Sequence, residues 1–137
     1  MSAHKGRASG AFEVKLAPLP PYNTAEGAAL GRASLDKVFD GDLVATSAGE
    51  MLTAGNPKSG SAGYVAVERV TGTLHGRKGT FALMHTGRMT RGTPSLEITV
   101  VPDSGTDELT GLSGTLEIMV VEKKHLYIFD YAVDPIP

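Results

Sequence analysis

The chain has 137 residues and a formal net charge of −2, with 17 Gly, 8 Pro and no Cys or Trp. A chain of this length buries roughly 68% of the surface its unfolded form exposes, which suits one core and not two. The absence of cysteine excludes disulfide scaffolding, thiolate metal sites, iron–sulfur clusters and a thiol nucleophile, and the near-balanced charge gives no general attraction to nucleic acid or acidic lipid.

The first nine residues read as a flexible N-terminus, followed by a single β-barrel domain over residues 10–134. Phe12, Val14 and Leu16 alternate with Glu13 and Lys15, the period-two signature of a strand with one apolar face. Pro18, Pro20 and Pro21 end it. Leu30 to Phe39 and Leu43 to Ala54 form two further strands joined at Asp40-Gly41-Asp42, a turn signal. After a loop over Asn56 to Gly60, the segments Gly63 to Leu74 and Thr80 to Thr90 flank His75-Gly76-Arg77-Lys78-Gly79 as a second hairpin. Leu96, Ile98 and Val100 mark a sixth strand, Gly114 to Glu122 a seventh and Leu126 to Val133 an eighth, with about one helical turn over Thr106 to Leu109. Apolar runs such as Phe81 to Met84 are far too short for a membrane helix. Met1 to Gly10 lacks the basic-then-apolar build of a secretory signal, so the expected location is cytoplasmic. Eight strands separated mainly by short Gly-containing turns predict an all-β, eight-stranded antiparallel barrel, since closure removes exposed sheet edges.

The run from Val100 to Gly114, VVPDSGTDELTGLSG, is more particular than generic turn chemistry. Together with Glu68-Arg69-Val70-Thr71-Gly72, Gly79 to Gly87 and Phe129-Asp130-Tyr131, it resembles DUF3224, a bacterial family of unknown function with an allene-oxide-cyclase-like barrel. The resemblance runs from about Gly10 to Val133 and implies a self-associating barrel, a dimer or trimer, with no established activity. Where the family pattern carries Gln before the His, this chain has Met84, a change expected to alter the polarity of one pocket wall by natural drift or by redesign. Related barrels include cofactor-free cyclases of hydrophobic substrates. Gly105, Gly111 and Gly114 are read as turn and crossover residues, because glycine permits positive φ and close backbone approach.

A two-residue Gly76-Arg77 loop would pair His75 with Lys78 and so set Glu68 opposite His85. Tyr64, Ala66, Val70, Phe81, Leu83 and Met89 share that face, which reads as the barrel interior. A Glu and a His opposed in an apolar setting could exchange a proton, making Glu68 and His85 the catalytic candidates, with Tyr64 and Tyr131 as orienting hydroxyls. The same pair could equally satisfy itself and fix strand register. Tyr64, Phe81, Met84, Met89, Phe129 and Tyr131 are the candidate ligand-lining residues.

The expected function is binding of a small hydrophobic molecule in the barrel. The alternatives are a cofactor-free isomerase, cyclase or eliminase using Glu68 and His85, and a non-catalytic oligomeric scaffold that associates through outward residues such as Val65 and Val67. No cofactor, metal, nucleic acid or membrane partner is expected. Ser59-Gly60-Ser61-Ala62-Gly63 lacks a nucleophile elbow's spacing, no Gly-Lys-Ser/Thr follows Gly105 to Gly114, and His4, His75, His85 and His125 lack a metal-ligand spacing.

Overall fold

The computed structural model describes residues 4–56 and 58–135. Its strands are β1 (His4–Leu19), β2 (Ala29–Phe39), β3 (Leu43–Asn56), β4 (Ser61–Leu74), β5 (Arg77–Thr90), β6 (Thr93–Val100), β7 (Leu112–Val121) and β8 (Lys124–Val133), with a 3-10 turn at Asp107–Leu109. They pair in chain order as an antiparallel meander that closes when β8 returns to β1. The predicted architecture is the observed one.

Closure depends on the N-terminal segment, which pairs with β8. Residues 4–9, expected as a flexible terminus, form the first half of β1 and pair with β8 from His4↔Val133 to Ser9↔Ile128. The inward positions over residues 6–10 are Gly6, Ala8 and Gly10, so no apolar alternation announces the strand. The small residues make room for β8 aromatics: a Cβ at Gly6 would lie 2.7 Å from the Tyr131 ring.

The β4–β5 register also differs from the one a Gly76-Arg77 turn would give. The β4–β5 turn is His75-Gly76, both with positive φ (46° and 79°), and the closing pair is Leu74↔Arg77. This is the two-residue geometry that matches strand twist. Glu68 therefore lies opposite Leu83, and His85 opposite Ala66. The slip is of two residues, so each side chain keeps its face.

The two ends of the barrel differ. At the lower end, formed by the β2–β3, β4–β5 and β6–β7 connections, Phe12, Phe39, Phe81, Phe129 and Tyr127 pack with Leu43, Leu74, Leu83 and Leu112 into one core. The Tyr127 hydroxyl accepts from Leu43 N–H at 2.9 Å and donates to Asp40 O at 2.7 Å, tying β8 to the β2–β3 turn. The segment 101–111 folds across this end and buries Leu109. Thr106 N–H donates to Thr80 O at 2.9 Å, above Gly79, where a side chain would run into the Thr106 carbonyl. β6 and β7 share a single registered pair, Thr99↔Thr115, next to their lower-end connection, and have none above it toward the upper end.

Two further two-residue turns have positive φ at both positions, Arg91-Gly92 and Glu122-Lys123. The second holds two non-glycine residues in the left-handed region, where Asn-Gly is the low-strain choice. The double substitution Glu122→Asn, Lys123→Gly is therefore expected to stabilise the protein by about 1 kcal/mol, read as a raised denaturation midpoint at unchanged m-value.

Candidate functional site

Just above the lower core, four adjacent strands direct polar side chains to one point. The period-two alternation that buries Phe39 and Leu35 also turns Lys37 of β2 inward, and the alternation through Leu43 and Ala45 does the same for Ser47 of β3. Glu68 of β4 and His85 of β5 complete the set. All four are buried, and Glu68 is 0% exposed.

Glu68 is the hub. Lys37 Nζ donates to Oε2 at 2.9 Å, Ser47 Oγ donates to Oε1 at 2.7 Å, and His85 Nε2 donates to Oε2 at 2.5 Å. Gly49, which pairs with Glu68 across β3–β4, keeps the approach open, since a Cβ there would lie 2.6 Å from the Glu68 Cα. The Lys37 ammonium also lies over the Phe12 ring, 5.0 Å from its centroid, a favourable contact for a desolvated cation. Burial by itself pushes the Glu68 carboxyl upward, but the His85 hydrogen bond, the Lys37 charge and the Ser47 hydrogen bond outweigh it and hold the group down at about 2. The cluster is thus an ion pair braced by an imidazole and a hydroxyl.

Above it opens a cavity of about 310 Å³ lined by Met51, Thr53, Ala62, Tyr64, Met89 and Leu96, among others. A larger depression, about 920 Å³, shares Thr53, Tyr64 and Met89 with it and continues over the rim to outward-facing Leu30, Leu52 and Val65, beside Pro21 and Tyr22. Tyr64 forms part of the cavity wall. Its ring lies against Gly87, where a side chain would collide with it, and tilts at 57° to His85 with centroids 6.3 Å apart.

The expected lining residues therefore separate into three groups. Tyr64 and Met89 border the cavity. Phe81, Phe129 and Tyr131 are packed in the lower core instead, where Phe81 and Phe129 stack at 5.8 Å and the Tyr131 hydroxyl and His75 Nδ1 share a hydrogen bond at 2.5 Å. Met84 is placed on the outer wall, 42% exposed, because strand alternation turns it away from His85, so it cannot alter the polarity of the interior. Glu68 and His85 do meet, diagonally rather than directly opposed, and Tyr131 lies far from them at the other end. Lys37 and Ser47 were missed. Their signal was present in the alternation Leu35-x-Lys37-x-Phe39 and Leu43-x-Ala45-x-Ser47, which puts a charge and a hydroxyl on an otherwise apolar face.

A family model for DUF3224, proteins of unknown function, matches residues 8–131. The chain belongs to the DUF3224 family. It is similar to the crystal structure of a DUF3224 protein of unknown function from Shewanella oneidensis, with 47% identity, coverage of 96% of this chain and 100% of that one, and a TM-score of 0.91. No curated protein matches it. In this DUF3224 protein the Val100–Gly114 run caps the lower end, remote from the cavity, which fits the reading of its glycines as turn residues. Gly105 shows why: a side chain there would strike the Leu109 carbonyl.

The depressed Glu68 pKa links the cluster to acid stability. Its contribution is complete above the ordinary value of 4.5 and is lost as pH falls through about 2, a difference of about 3 kcal/mol. Denaturant titrations from pH 7 to 2 are expected to show that loss below about pH 5. Glu68→Gln is expected to flatten the acid slope while lowering neutral-pH stability by about 3 kcal/mol or more, since Lys37 stays buried without its partner. An unchanged slope in the variant would assign the acid sensitivity to other carboxylates.

Proposed function

We propose that this protein binds a small apolar molecule in the upper mouth of its barrel. One observation carries the reading. Inward-facing apolar side chains of a filled barrel are buried, yet here Leu16, Met89, Leu96 and Val120 are 53%, 39%, 46% and 64% exposed. Met89 and Leu96 line the cavity itself, and apolar side chains left open in a concave site are the signature of a ligand or partner pocket. The parting of β6 from β7 adds an entrance, since Leu96 and Val120 stand on the two strands that separate.

The chemistry of the cluster favours binding over catalysis by Glu68. Both carboxylate oxygens are engaged by Lys37, Ser47 and His85, and the residue has no exposed surface through which a bound molecule could reach it. A general base must come within hydrogen-bond reach of the proton it takes. The cluster instead supplies a rigid base beneath the mouth.

The neutral fluorescent probe N-phenyl-1-naphthylamine tests the site. One equivalent is expected to bind with blue-shifted, enhanced emission. Met89→Glu, which puts a charge on the cavity wall, is expected to weaken binding at least about tenfold. Met84→Glu, on the opposite face of the same strand, should leave it unchanged. Absence of binding, or equal sensitivity to both substitutions, would refute the mouth as the site.

A further inference from the structure

Resting on the mouth being a ligand site, we propose that His85 Nδ1 is its polar anchor and accepts a hydrogen bond from the hydroxyl of an uncharged, mainly apolar molecule, with phenols as the chemical class. Glu68 acts as the positioning residue.

The tautomer follows from the cluster. Glu68 is held as a carboxylate, an acceptor only, so the contact at 2.5 Å requires His85 Nε2 to carry the proton. In the proposed state His85 is the neutral imidazole, the Glu68 charge being balanced by Lys37 at 2.9 Å. A neutral imidazole protonated at Nε2 has its lone pair on Nδ1.

The direction of that lone pair follows from accounting for polar atoms. Among the described residues no fully enclosed side-chain nitrogen or oxygen lacks a hydrogen-bond partner. His85 makes one side-chain hydrogen bond, through Nε2 to Glu68, and retains 5% exposure. Nδ1 is therefore not enclosed. Below His85 the inner wall is closed by Leu83 and beside it by Ile98, both 0% exposed, while the next inward residues above are Gly87 and Met89 at the cavity. The Tyr64 ring occupies the space a side chain at Gly87 would take and stands beside the His85 ring, centroids 6.3 Å apart, so a ligand in the cavity would reach His85 alongside Tyr64.

The rest of the mouth defines the ligand class. Its inward side chains above His85 are apolar or hydroxyl-bearing, with Thr53 and Tyr64 the polar members and Arg88 directed outward by alternation. Among the described residues no inward side chain of the mouth carries a positive charge to meet a ligand carboxylate, the Lys37 ammonium being held by Glu68. A hydroxyl meets an acceptor on His85, and a fused or substituted ring meets Met51, Met89 and Leu96. Tyr64, whose phenol is pushed up by burial and then by the Glu68 charge, remains protonated beside it.

Paired probes of one shape test this with the full chain: 2-naphthol against 2-methoxynaphthalene, by calorimetric titration at pH 7. The hydroxyl compound is expected to bind about fivefold to tenfold more tightly, the worth of one net hydrogen bond. Nitrogen NMR of the 15N-labelled protein should show a protonated Nε2 and an unprotonated Nδ1 on His85, the latter signal moving with 2-naphthol and not with its methyl ether. His85→Phe should bring the two probes to equal affinity. Equal binding by the native protein overturns the anchor while leaving the mouth as a site. Failure of both probes to bind overturns the mouth itself and the anchor with it. A proton on Nδ1 in the free protein, or a preference for 2-naphthol without movement of the Nδ1 signal, overturns the anchor whether or not His85→Phe folds.

Discussion

The ionised Glu68 carboxylate inside an apolar barrel is the constraint around which the upper half of this structure is organised. Removing a carboxylate from water costs several kcal/mol, so it persists only with charge compensation and saturated acceptor sites. Lys37, Ser47 and His85 provide both. Because they come from β2, β3 and β5, satisfying one side chain of β4 fixes four neighbouring strands in register and rotation. A slip of one residue anywhere among them would turn a charged group out of the cluster and leave its partner buried.

That constraint also divides the barrel into two halves. Below the cluster, aromatic rings and leucines fill the interior, Tyr127 pins the β2–β3 turn and the 101–111 segment closes the end. Above it, small and medium side chains leave the interior unfilled, and β6 parts from β7. A cluster of this kind is a costly way to gain stability, and apolar replacements of equal volume often serve as well or better. What it supplies here is a polar floor of fixed geometry beneath an apolar mouth, with His85 held against Glu68. The DUF3224 relative from Shewanella oneidensis shares the fold over nearly the full length of both chains.

The mouth and the outer wall should be separated when surface hydrophobicity is considered. Leu52, Val65, Val67 and Met84 are outward-facing and exposed on adjacent strands, whereas Leu16, Met89, Leu96 and Val120 are inward-facing and exposed because the barrel is open above them. The first group belongs to the molecule's exterior surface. Of the second group, Met89 and Leu96 line the cavity, the surface that the proposed ligand would meet.

The sequence by itself determined the strand count, the meander and the face on which each β4 and β5 side chain lies, because period-two alternation and Gly turns are local signals. Glu68 and His85 were legible as a pair for the same reason: even with the turn misplaced at Gly76-Arg77, a shift of two residues leaves both on the inner face. The tertiary structure decided the rest. The first half of β1 is silent in sequence, since Gly6 and Gly10 gain meaning only from the Tyr131 and Tyr127 side chains they accommodate. Lys37 and Ser47 become partners of Glu68 only when β2 and β3 curl beside β4, and whether an aromatic fills the interior or borders a cavity depends on its height along a closed barrel. Alternation tells inside from outside, but height and neighbours across the interior are set by closure, which no local pattern encodes.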